Sequence, residues 1–133
     1  MLTAYNFGFS VPSDMTMTGW SVDIEGYSGP SSGNSVIVYL HKTTGGYQGY
    51  ASGTSFPHSS EGTITIGGSS NMFGTTWTPA QANAATFGIS IQIYNTSGAT
   101  QTVNIDTFTI TAHYVAGGVA YSQSRRMQQY LVR

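Results

Sequence analysis

Short runs in which apolar and polar residues alternate with a period of two recur along the chain, and none carries the period of a long helix. Trp20, Val22 and Ile24 share one face of such a run, with Ser21, Asp23 and Glu25 on the other. Phe87, Ile89, Ile91 and Ile93 repeat the pattern. Tyr5, Phe7, Phe9 and Val11 do so near the start, where Pro12-Ser13-Asp14 closes the run. Between Gln101 and Tyr114 the apolar set begins on odd positions (Val103, Ile105) and moves to even ones (Phe108, Ile110, Ala112, Tyr114). A one-residue slip of that kind predicts a β-bulge near Asp106-Thr107, with Ile105 and Phe108 both turned inward.

Ser35–His41 is different, because Val36, Val38 and Leu40 fill one face while Ile37 and Tyr39 occupy the other. A strand apolar on both faces is covered on both, by the core and by a loop or another subunit. Polar turns at Ser28–Asn34 and Asn95–Thr100 separate the runs. From Thr43 to Gly74 the pattern is weak: Thr44–Tyr50 is rich in glycine and tyrosine, and only Thr63–Ile66 reads as a strand.

Thr78-Pro79-Ala80-Gln81 interrupts the strands with the signature of a capping box, proline standing at the first helical position. It predicts one helical turn crossing between sheets, with Trp77 plugging the end of the core. Six to eight short strands and one turn of helix describe an all-β fold, an antiparallel β-sandwich of jelly-roll or immunoglobulin-like topology. At 133 residues the chain holds one core. Residues 1–116 are expected to form the sandwich. After Gly117-Gly118, residues 117–133 are expected to leave it as a C-terminal arm, marginal alone and dispensable to the fold.

Function is constrained by what is scarce. Only 7% of residues are charged, against about 25% in ordinary soluble domains. Such a surface repels its own copies weakly and suits a protein that lives in an assembly. Lys42 and all five acids precede residue 121, while Arg125, Arg126 and Arg133 follow it, so an acidic body carries a basic tail. No basic face on the body supports nucleic-acid binding, and docking on an acidic protein neighbour is the expectation for the tail. No apolar run spans a bilayer and no secretory leader is visible, so synthesis in the cytoplasm is expected, without membrane attachment.

Chemistry finds little purchase. There is no cysteine, no nucleophile elbow and no phosphate loop. His41, His58 and His113 lack metal-ligand spacing and read as exposed strand histidines. Asp23 and Glu25 share a strand face that points to solvent, a poor setting for a glycosidase pair. No enzyme, cofactor or metal is expected.

Several segments resemble a family of small β-sandwich domains in tailed-phage and prophage structural proteins. Phe7-Gly8-Phe9-Ser10-Val11-Pro12 is similar to its FGFSIP element, and Gly19–Glu25 to the strand that follows. Ala51-Ser52-Gly53, the run Gly67–Pro79, Phe87-Gly88-Ile89 and the residues from Ile105-Asp106 to His113-Tyr114 continue it. Met72-Phe73 stands where the family usually has leucine-tryptophan, and nothing after Tyr114 has a counterpart. The resemblance implies a virion structural role without catalytic residues.

A free-standing chain of this size fits a capsid decoration (cement) protein or a small tail or fibre component, located in the virion. The expected partners are major capsid or tail proteins and copies of the chain itself. Ile37, Tyr39, Tyr47, Tyr50, Tyr121, Arg125, Arg126, Met127, Tyr130, Leu131 and Arg133 are the candidate interface residues. The alternative is a carbohydrate-binding or receptor-binding module of a tail fibre, with Tyr27, Tyr39, Tyr47, Tyr50 and Trp20 as a platform for surface carbohydrate.

Overall fold

A computed structural model describes residues 2–29, 33–95 and 102–132, with side chains through residue 127. The elements in chain order are β1 (Leu2–Tyr5), β2 (Thr16–Gly29), β3 (Ser35–Thr43), β4 (Gly46–Gly53), β5 (Gly62–Gly68), α1 (Pro79–Asn83), β6 (Gly88–Tyr94), β7 (Thr102–Ala116) and β8 (Val119–Val132). They form two antiparallel four-stranded sheets, β1-β6-β3-β4 and β5-β2-β7-β8. The fold is the all-β sandwich that the alternation predicts.

The core lies between the sheets. Val22 and Ile24 of β2, Val36, Val38 and Leu40 of β3, and Phe108 and Ile110 of β7 are fully buried in it. Trp20 stacks on Phe87 with ring centroids 4.6 Å apart, and Trp77 meets both rings edge-on at 5.4 and 5.5 Å. Trp77 therefore occupies the place its position before α1 suggested. The capping box forms as well: Gln81 N–H donates to Thr78 Oγ1, and Thr78 N–H donates to Gln81 Oε1. The turn links β5 of one sheet to β6 of the other.

The bulge sits where the phase slip puts it. Glu25 pairs with Thr107 and Gly26 with Ile105, which leaves Asp106 without a partner on β2, while Ile105 and Phe108 are both buried.

Three expectations are corrected. The alternation from Tyr5 to Val11 is no strand beyond Tyr5, because Asn6 (φ 62°) and Gly8 (φ 71°) turn the backbone. Phe9 and Val11 reach the core from this crossover instead. The glycine-tyrosine stretch is an ordinary edge strand, β4, paired with β3 from Val36–Gly53 to Thr43–Gly46. The segment after residue 116 is not an arm but β8, paired with β7 along its length. Gly117 and Gly118 both take positive φ, the geometry of a tight two-residue hairpin, so they couple the segment to the sheet.

Side chains also fasten β8 to the crossover. Ser10 N–H donates to Gln123 Oε1 and Gln123 Nε2 donates back to Ser10 O, both at 3.0 Å. One residue on, Asn83 of α1 grips Val11 in the same double manner, at 2.8 Å each way. Residues 6–11 cross between the sheets without a strand partner, and these amides supply the bonds a ladder would give.

Candidate functional site

The outer face of the first sheet carries a cluster of tyrosines. Tyr39 of β3 pairs across the ladder with Tyr50 of β4, so both rings stand on the same side. Tyr39 and Tyr47 stack with centroids 4.7 Å apart at an interplanar angle of 25°, and Tyr50 lies 6.0 Å from Tyr39. Tyr47 and Tyr50 are 53% and 63% exposed, large values for aromatic rings. Together with the loop at Asn71–Gly74 they bound an open cleft of about 700 Å³.

That loop is held firmly. Asn71 Oδ1 accepts from Phe73 N–H at 2.9 Å, and Trp77 Nε1 donates to Met72 O at 3.1 Å. Trp20 N–H donates to Asn71 O at 2.8 Å. Phe73 adopts φ 58°, a left-handed conformation that a bulky residue takes only when its surroundings impose it, and its ring is buried. Gly49 of β4 lies directly against this loop: a Cβ there would stand 2.2 Å from the Phe73 carbonyl oxygen. The Asn71–Gly74 loop thus supplies one wall of the cleft.

Beside the tyrosines lies a polar chain. His41 is 1% exposed, contrary to the expectation of an exposed strand histidine, because Tyr5 and Tyr47 cover it edge-on at 5.4 and 4.8 Å. Its Nε2 is 2.8 Å from Ser90 Oγ, which is 2.8 Å from Thr3 Oγ1. Its Nδ1 faces Tyr5 Oη at 3.4 Å, and Gly45 N–H donates to that phenol oxygen. The neutral ring carries one proton, so one of its nitrogens donates and the other accepts in these two contacts. Ser90 is fully buried. Burial holds His41 below its ordinary pKa, so the ring is neutral at pH 7. His113, half-buried beside Ser21 at 2.9 Å, is lowered for the same reason, and half-buried His58 contacts the Ser28 carbonyl.

A second candidate surface is β8. Its inward row, Tyr121, Gln123, Arg125 and Met127, pairs with Tyr114, Ala112, Ile110 and Phe108 of β7. Tyr121 is exposed and stacks on Tyr114 at 6.0 Å, while Met127 packs against the core. Arg125 donates to the carbonyls of Gly8 and Ser124 and covers the Phe9 ring, whereas Arg126 faces solvent. Among the described residues, no strand pairs with the other edge of β8.

No protein-family model, curated protein or solved structure matches this chain.

The candidate interface residues thus divide between two places. Ile37, Tyr39, Tyr47 and Tyr50 lie on the outer face of the first sheet, Ile37 and Tyr39 half-buried there. Tyr121, Arg125, Arg126 and Met127 lie on β8 of the second. The side chains of Tyr130 and Leu131, and Arg133 altogether, fall outside the described residues. The five-aromatic sugar platform does not assemble. Trp20 is fully buried, and Tyr27 of β2 belongs to the other sheet.

One cluster has no counterpart in the sequence reading: Glu25, Glu61 and Asp106 each place a carboxylate oxygen within 4.8 Å of the others. The bulge places Asp106 beside Glu25 of β2 and Glu61, which immediately precedes β5, and two of the three are exposed.

Proposed function

We propose that this chain is a non-enzymatic structural protein of a tailed-phage virion, a capsid decoration protein or a small tail or fibre component. It acts by binding neighbouring subunits, and the open edge of β8 is where it does so. The observation that carries this reading is a long strand that, among the described residues, is paired on one side only, with no proline or lysine along it. Its inward charge, Arg125, is bonded to the Gly8 carbonyl. Proteins that stay apart often guard such edges with proline, lysine or very short strands. An edge without those guards accepts an added strand through main-chain hydrogen bonds. The low charge of the surface and the phage-family resemblance support the same reading.

The test is a double variant, Ser122→Lys with Ser124→Lys, on the exposed face of β8. The domain should stay folded by circular dichroism while its incorporation into phage particles falls at least tenfold. Full incorporation of the folded variant, or absence of the wild-type chain from purified particles, would refute the reading.

A further inference from the structure

The cleft of the first sheet has a lining that selects its occupant. Tyr39, Tyr47 and Tyr50 present ring faces and edges, Gln48 and Asn71 carry amides, and Ser52 carries a hydroxyl. No lining residue is charged. The Asn71 carbonyl oxygen is occupied by Phe73 N–H, which leaves the Asn71 amide nitrogen as a donor. From these observations the geometry points to a binding site for a neutral oligosaccharide built of hexopyranose rings.

The chemistry of the ligand follows from the chemistry of the wall. A pyranose has one face of C–H groups and a rim of hydroxyls. The C–H face lies against an exposed aromatic ring, as apolar surface does, and the rim takes hydrogen bonds from amides. A charged sugar or a phosphate would find no counter-charge here and would lose hydration without return. The volume of about 700 Å³ exceeds one ring and suits a short oligosaccharide.

The site is also built to keep its shape. Tyr50 stands beside Gly49, whose backbone lies against the Phe73 carbonyl, and Phe73 is held in its left-handed conformation by the Asn71 bond. Little ordering remains to be done when a ligand arrives, which favours binding through a small contact. Tyr47 roofs His41 as well, so its ring is supported from below. This inference is independent of what β8 contacts.

The test uses the whole chain, labelled with nitrogen-15, and four probes: cellotriose, maltotriose, lactose and fully N-acetylated chitotriose. At least one should shift amide resonances of residues 39–52 and 71–74 and leave those of β8 in place. Tyr50→Ala should weaken that binding about tenfold, whereas Tyr50→Phe, which keeps the ring, should retain it. Tyr50 is mostly solvent-exposed, so both variants should fold, and an unchanged spectrum away from the cleft verifies this. Tyr121→Ala, an exposed tyrosine on the other sheet, should bind as the wild type does. The inference is overturned if none of the four probes shifts the cleft. It is also overturned if binding survives Tyr50→Ala undiminished, or if an acidic oligogalacturonide binds more tightly than the neutral sugars.

Discussion

Arg125 holds its guanidinium over the ring of Phe9, 5.3 Å from the ring centroid, and donates to the carbonyl of Gly8. A basic residue expected to meet a neighbour's acids is thus spent on the domain's own crossover. A cation over an aromatic ring contributes about 0.5–1 kcal/mol at a partly exposed site. With the bond to Gly8, Arg125→Ala should cost about 1–2 kcal/mol and lower the melting temperature by several degrees. A melting temperature unchanged in thermal unfolding would show that the contact carries no stability.

Loss of residues 119–133 should be far more damaging. The truncation strips β7 of one hydrogen-bonded neighbour, uncovers Tyr114 and frees Ser10. A drop of at least about 10 °C, or failure to fold, is expected, since each kcal/mol moves the midpoint by several degrees. A truncated chain melting within about 2 °C of the full one would restore the view of this segment as an arm.

Asn83→Ala should destabilise by about 1–3 kcal/mol although Asn83 itself is exposed. Both polar groups of the buried Val11 backbone lose their partner at once. Asn83→Asp should recover only part, because a carboxylate accepts from Val11 N–H but cannot donate to Val11 O. Chemical denaturation of the two variants decides this, and equal midpoints would count against it.

Gly49→Ala should cost about 1–3 kcal/mol, because the added methyl meets a main-chain oxygen rather than a yielding side chain. The same variant should displace the Asn71–Gly74 wall. Amide shifts at residues 71–74 report that movement, and their absence would mean that β4 gives way instead.

Acid should weaken the fold through its histidines. His41 and His113 both have pKa values below 6.5 when folded, so the unfolded chain takes up protons first. Stability is therefore fully present above the unfolded value and is lost as pH falls through 6.5 toward the folded values. Tyr5, Tyr47, Ser90 and Thr3 surround His41 without offering a negative charge. His41→Asn should flatten part of the slope, His113→Asn the remainder. An unfolding free energy constant from pH 8 to 5.5 would contradict this account.

Much of the sandwich was legible because burial on one face writes a period of two into the sequence. β2, β6 and β7 carry that signature, as does the slip at Asp106, and Thr78 with Gln81 declares the helix start. β4 was not legible, because its tyrosines face outward and its remaining positions are largely glycine and small or polar residues. β8 was missed for a related reason. Its inward row includes Gln123 and Arg125, which satisfy a crossover rather than fill a core, so no apolar period appears. His41 misled because two aromatic rings from β1 and β4 can bury an outward-facing residue, and nothing adjacent in sequence announces them. The tyrosines of the cleft were visible as residues, but not that Asn71–Gly74 would close beside them.

Ser10 and Gln123 stand 113 residues apart and hold each other by a pair of hydrogen bonds. At 5–20 residues per second the ribosome needs about 6–23 s to travel from one to the other. Throughout that interval Phe9 and Val11 wait without the strand that fixes their loop. The apolar crossover is thus among the earliest segments made and among the last to find its place. Until β8 emerges the crossover lacks its Gln123 and Arg125 fastenings, and apolar surface left uncovered during synthesis is open to foreign contacts.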